Sequence, residues 1–286
     1  MSQTKHQIEA LLATAGARPL HRFGQNFMID RNLVRLVADA GEISPGDLVI
    51  EVGPGTGTLT EELLERGPMV LAVEIDRNLA ALLRERFADC PQFALIEGDA
   101  LAGKHALNRE LLQQIQSARS RGQRTRLVAN LPYNIASPLT IELLLCGVDL
   151  LAFTVQKEVA LRLRSKAGEE AYGPLSVVAQ SLASVEVLRT LPPQAFWPAP
   201  TVESALVRLT RQDRLGEEAA AFGQFVHAVF SYRRKTLRKA LGEAGYAAET
   251  ILAQSGLDPR RRPEELTPEE FFQLYRLAHP PQGAET

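Results

Sequence analysis

The sequence predicts an α/β protein: a doubly wound, seven-stranded, mostly parallel sheet followed by a smaller all-α C-terminal domain. Three observations carry this. Short, mostly apolar strand signals alternate with helical patterns through the first two-thirds of the chain. A glycine-rich turn, EVGPGTGTLT, joins the first strand signal to the first helix that follows it. From about Arg211 onward the pattern is helical, without a convincing strand. The 286 residues suffice for one full α/β domain and one smaller unit. The boundary falls between an expected first domain, 1–210, and a helical second domain, 211–286.

The elements follow in order. Residues 48–52, 69–74, 93–97, 126–130 and 150–155 read as strands. LTEELLERG, RNLAALLRERFA and SPLTIELLLCG read as intervening helices, with Asp76 and Ser137-Pro138 as start signals. SVEVLRTLP and SALVRLT supply two further strands, expected to complete the sheet as an antiparallel pair, with the proline-rich PPQAFWPAPT as the loop between them.

Composition excludes several classes. An apolar content of 45% and a charged content of 23% are those of an ordinary globular protein. Cys90 and Cys146 stand far apart, so neither a disulfide framework nor a metal site is expected. The opening MSQTKHQIEALLATAG holds an acid and no long apolar core, unlike a secretion signal. The most apolar run, LTIELLLCGVDLLAFTV, is interrupted by Glu142, Gly147 and Asp149 and reads as helix then buried strand, not as a membrane span. A cytoplasmic protein is expected. Net charge is −2, yet basic residues cluster: Arg233, Arg234, Lys235, Arg238 and Lys239 in SYRRKTLRKA, four arginines in SARSRGQRTR from Ser117, and Arg260 to Arg262. Such patches can neutralise phosphates, although each also suits a solvated helix face.

Three strand ends carry ligand-type residues. Gly53 and Gly55 of the glycine turn allow backbone to approach a ligand closely. Their G-x-G-x-G spacing differs from the G-x-G-x-x-G of dinucleotide sites, which disfavours NAD. Glu74 ends the second strand, where a carboxylate can accept from both ribose hydroxyls. Asp99, beyond the third, can accept from an adenine amino group. In a doubly wound sheet these ends open onto one crevice, and S-adenosyl-L-methionine fits the implied ligand without a metal. NLPY, from Asn130, enters the same crevice from the fourth strand. Taken alone it reads as a strand-ending turn. Beside that cofactor it acquires a chemistry. The Asn130 side-chain oxygen and the Leu131 carbonyl can accept the two hydrogens of an adenine amine and aim its lone pair. Pro132 fixes the backbone and Tyr133 can stack on the base.

With these residues assembled, the chain resembles the KsgA-type small-subunit ribosomal RNA adenine dimethyltransferases, from about Arg18 to about Leu277. RFGQNFMID, EVGPGTGTLT, VEID, EGDAL and NLPYNI are similar to that family's successive motifs. QKEVALRL, FWPAPTVESALVRL and FSYRRKTLRKAL resemble its later segments. The resemblance implies a Rossmann-like methyltransferase sheet. It implies that Asn26, Met28, Gly53, Gly55, Glu74, Asp99 and Asn130 hold S-adenosyl-L-methionine, while Asn130, Leu131 and Tyr133 face the target adenine. It also implies that the C-terminal helices, with Arg233, Arg234, Lys235 and Arg238, dock on small-subunit rRNA in immature 30S particles. The expected enzyme is a monomer without metal or membrane partner. It places two methyl groups on each of two adjacent adenines in the 3′-terminal hairpin of 16S rRNA.

Two departures from the family pattern stand out. The arginine-rich span from Gly103 to Arg126 is longer than the family requires and is expected to be an added surface element, and WPAP replaces a run of prolines. The rival readings are a large-subunit rRNA adenine methyltransferase of the macrolide-resistance type and a noncatalytic assembly or transcription factor on the same fold. The long basic C-terminal region argues against the first, and the intact cofactor residues against the second.

Overall fold

The computed structural model describes residues 3–19, 24–103, 106–212 and 214–280. Arg22 and Phe23 of the first motif therefore lie outside the described residues. One seven-stranded sheet contains β1 (Leu48–Val52), β2 (Met69–Glu74), β3 (Phe93–Glu97), β4 (Thr125–Asn130), β5 (Leu150–Gln156), β6 (Ala183–Leu191) and β7 (Ser204–Arg211). Their spatial order is β3-β2-β1-β4-β5-β7-β6. The first five run parallel, and β7 lies antiparallel to β5. Strand order reverses between β1 and β4, and a crevice opens at such a switch point, beyond the carboxyl ends of the strands. Gly53 follows β1 there and Asn130 ends β4. The topology thus carries the glycine turn and NLPY to one place.

Helices in this part of the chain are α1 (Lys5–Thr14), α2 (Arg31–Ala40), α3 (Thr58–Leu64), α4 (Arg77–Arg86), α5 (Arg109–Ser120), α6 (Ala136–Leu145) and α7 (Lys157–Arg164). Their starts are chemically marked. Thr4 forms a capping box with Gln7, and the Asp30, Asp76 and Asn108 side chains each accept two backbone amides of the following turn. Packing of α2 and α3 on the sheet builds a core that includes Val34, Val37, Leu63 and Val128. A two-residue ladder pairs Phe27 with Trp197 and Met28 with Phe196, which fixes the first motif beside the strands.

The span after Gly103 departs from expectation. Ala106–Leu107 pairs antiparallel with Leu101–Gly103, and the chain then forms α5, whose Leu111, Ile115 and Ala118 are fully buried where the helix packs on β4. Its arginines are largely engaged within the protein. Arg119 donates to the Cys146 carbonyl at 2.7 Å, and Arg124 pairs with Asp47 at 2.9 Å. The segment is a covering helix of the sheet, because its apolar residues recur at helical spacing between the arginines.

Two compact units emerge: Met1–Ala160 with Glu186–Arg211, and Leu161–Val185 with Gln212–Thr286. The division at residue 210 drawn from sequence differs from this in one respect: the segment 161–185 belongs with the C-terminal helices. These are α8 (Pro174–Leu182), α9 (Ala219–Phe230), α10 (Leu237–Glu243), α11 (Ala248–Ser255) and α12 (Pro268–Ala278). Helix α8 packs on α9 and α12 through an apolar face that includes Val177 and Leu182. Within this unit Phe230 stacks on Phe271 at 5.2 Å, and Phe222 meets Tyr275 edge-on at 5.6 Å.

Candidate active site

The crevice wall begins at the glycine turn. Gly53 and Gly55 have φ of 71° and 61°, a left-handed conformation that side chains rarely adopt. Both also sit in tight contacts. A β-carbon on Gly53 would lie 3.1 Å from the Pro132 ring, and one on Gly55 would lie 2.8 Å from the Phe27 ring. Missing side chains therefore let the first motif, the glycine turn and NLPY close on one another.

Two carboxylates are buried in this wall. Glu74, at the end of β2, accepts from the Gly55 amide at 3.2 Å and the Asp76 amide at 2.9 Å. Burial nevertheless pushes its pKa up to about 7. Glu51, on β1, accepts from the Thr60 hydroxyl at 2.6 Å. Burial first, and then the charge of Glu74, raise its pKa to about 8 against that hydrogen bond. Asp99 is exposed beyond β3, and its Oδ1 accepts from the Leu101 amide at 3.0 Å.

Asn130 is fixed at both ends of its amide. Its Nδ2 donates to the Asn26 carbonyl at 2.6 Å, and its Oδ1 accepts from the Thr154 hydroxyl. Asn26, Met28, Gly53, Gly55, Glu74, Asp99 and Asn130 all line the same cleft, together with Pro132 and Asn134. Leu131 and Tyr133 stand outside that wall. Leu131 is buried, and the Tyr133 hydroxyl lies 2.6 Å from Ser204 Oγ, with burial raising the phenol's pKa. Sequence reasoning passed over Glu51, Thr58, Thr154 and Ser204. Glu51 lay inside a quoted motif. Thr58 lay in the same motif, and Thr154 and Ser204 are single hydroxyl residues whose partners appear only once strand register is known.

In the helical unit, Arg233, Arg234 and Lys235 are exposed in the turn between α9 and α10 and form no ion pair with a described residue. Arg238 pairs with Glu249 at 3.2 Å. Arg260, Arg261 and Arg262 pair with Asp258, Glu270 and Glu264. The Arg260–Arg262 cluster is thus committed to described acids and Arg119 to a backbone carbonyl, whereas Arg233, Arg234 and Lys235 have no described acid partner. No group of three His, Cys, Asp or Glu side chains among the described residues is arranged to hold a metal ion.

The cleft suits a ligand that brings hydrogen-bond donors and a flat apolar part. Glu51 and Glu74 are acceptors with unfavourable burial, which donated hydrogens or positive charge would relieve. Thr58 Oγ1, buried in the wall, has no hydrogen-bond partner among the described residues. Ile75, 41% exposed, offers an apolar surface at the edge of the same cleft.

Comparison with known proteins matches residues 18–279 to the ribosomal RNA adenine dimethylase family. The chain belongs to this family. The match extends across both units. A ribosomal RNA small subunit methyltransferase A from Moorella thermoacetica is 40% identical over 275 residues, covering 93% of this chain and 95% of that protein. Its counterpart from Streptomyces griseus is 42% identical over 277 residues, covering 92% and 91%. A dimethyladenosine transferase from Plasmodium falciparum superposes on this chain with a TM-score of 0.68 at 21% identity, over 87% of this chain and 95% of that one, and so shares its fold. No helix among the described residues is long and apolar enough to cross a membrane.

Proposed function

We propose that the protein uses S-adenosyl-L-methionine to dimethylate two adjacent adenines, at their exocyclic amines, in the 3′-terminal hairpin of 16S rRNA. It acts on immature 30S particles late in assembly, as a cytoplasmic monomer. The names of its relatives and its family membership support this substrate. The observation that carries the chemistry is the placement of the Asn130 amide in one cleft wall with Gly53, Gly55 and Glu74.

When bound, the cofactor supplies an electrophilic methyl group on a sulfonium, which requires no metal. Glu74 would accept hydrogen bonds from the ribose hydroxyls and Asp99 from the adenine amine of the cofactor, while Asn26, Met28, Gly53 and Gly55 would shape its bed. The target amine is a poor nucleophile, because its lone pair is delocalised into the ring. Asn130 Oδ1 and the Leu131 carbonyl accept its two hydrogens, favour a pyramidal nitrogen and aim the lone pair into the cleft. Tyr133, beside the cleft, stacks on the extruded base. No side chain has to remove a proton beforehand, since the nitrogen becomes acidic only afterwards. Arg233, Arg234 and Lys235 bind rRNA phosphates.

Methyl-label incorporation into undermethylated 30S particles and into large-subunit RNA tests the substrate. Label is expected in 16S rRNA only; incorporation confined to large-subunit RNA overturns the proposal.

A further inference from the structure

We infer that Thr154 and Ser204, two buried hydroxyls on the strands beside NLPY, are positioning residues that hold Asn130 and Tyr133 for the reaction; this rests on the function proposed above. Strand register sets their places. Asn130 on β4 lies opposite Thr154 on β5, and Gln156 on β5 lies opposite Ser204 on β7. Register partners share a sheet face, as do residues two apart, so Asn130, Thr154 and Ser204 lie on one face. Both hydroxyl residues are fully buried. Thr154 interrupts the apolar run LLAF-V of β5, and Ser204 opens the otherwise apolar SALV of β7. A hydroxyl in such surroundings requires a partner. Each has a side chain of NLPY: Thr154 donates to Asn130 Oδ1, and Ser204 Oγ is 2.6 Å from the Tyr133 hydroxyl.

The consequence for Asn130 follows from donor and acceptor count. Its Nδ2 is committed to the Asn26 carbonyl, so Oδ1 is the end that meets the hydroxyl, and Thr154 must be the donor. An amide oxygen accepts twice. One place is taken by Thr154, and the other remains for a single hydrogen of the target amine in a fixed direction. Without the hydroxyl, one anchor of the amide is lost and its oxygen can rock between two directions. Thr154 therefore governs how well Asn130 aims the nucleophile, and because the Asn26 bond still holds Asn130 in the wall, cofactor affinity should change far less than turnover.

Thr154→Val removes the donor at nearly constant shape, and Thr154→Ser keeps it. Turnover on undermethylated 30S particles is expected to fall about ten- to a hundredfold in Thr154→Val. The KM for RNA and the dissociation constant for cofactor should stay within about twofold, and Thr154→Ser should recover turnover to within about threefold. Equal turnover in the Val variant, or equal losses in Ser and Val, overturns the inference. If Thr154→Val melts early, Thr154→Ala against Thr154→Ser makes the same comparison. The Asn130 side-chain amide signal in 15N spectra, assigned with Asn130→Ala, gives a readout that needs no substrate. It should broaden or shift in Thr154→Val and stay in place in Thr154→Ser, and an unchanged signal in the Val variant contradicts the contact. Wild-type protein inactive on 30S particles defeats the proposed function instead, while the amide signal still decides whether Thr154 holds Asn130.

Discussion

Glu51 and Glu74 give the crevice a pH signature. Their folded pKa values, about 8 and about 7, lie above the ordinary carboxylate value of 4.5, chiefly because both groups are buried. The folded state thus holds protons that the unfolded state releases near pH 4.5. The stability this provides is full below that pH and is lost as pH rises through 7 and 8. Glu51→Gln keeps an acceptor for Thr60 without the charge. Melting of the unliganded variant should match wild type near pH 4 and exceed it by roughly 5 °C or more at pH 8.5. A melting difference that is constant with pH would contradict the burial of an ionisable Glu51. The proposed ribose contact would favour ionised Glu74, so on that proposal the thermal shift on adding S-adenosyl-L-methionine should grow over the same interval. Glu74 and Asn130 were legible in sequence because strand ends mark them. The burial of Glu51 and the partnership of Thr154 were not, since an acid in a strand and a lone threonine are ordinary until neighbouring strands are placed.

At the scale of elements, α5 shows how charge can mislead. Four arginines in SARSRGQRTR suggest a surface patch, yet Arg119 reaches over Gly147 to the Cys146 carbonyl at the end of α6. Gly147 has φ of 90°, and a β-carbon there would fall 1.0 Å from Arg119 Nη1. Gly147→Ala should cost about 1–3 kcal/mol, from backbone conformation and the displaced arginine, measured by denaturant unfolding. No loss would mean the arginine anchor is dispensable. The turn from Arg233 to Lys235 behaves oppositely, because its charges are exposed and unpaired with described acids. Replacing Arg233, Arg234 and Lys235 with alanine should weaken 30S association and lower the slope of log affinity against log salt by roughly 2. An identical slope would show a solvated cluster without phosphate contacts.

For the whole molecule, alternation of strand and helix signals made the doubly wound sheet readable, and the reversal of strand order explains why distant motifs share one cleft. The grouping of residues 161–185 with the C-terminal helices was not readable. A helical pattern states which face is buried and not which core receives it. Family membership joins this architecture to its relatives, but the central claim concerns chemistry: the Asn130 amide aims an adenine amine within that cleft. Mass spectrometry of nucleosides from undermethylated 30S particles, treated with cofactor and either wild-type or Asn130→Ala protein, tests it most directly. Wild type should yield N6,N6-dimethyladenosine, whereas Asn130→Ala should yield none while still binding cofactor measurably. Equal yields from the two proteins would contradict the account.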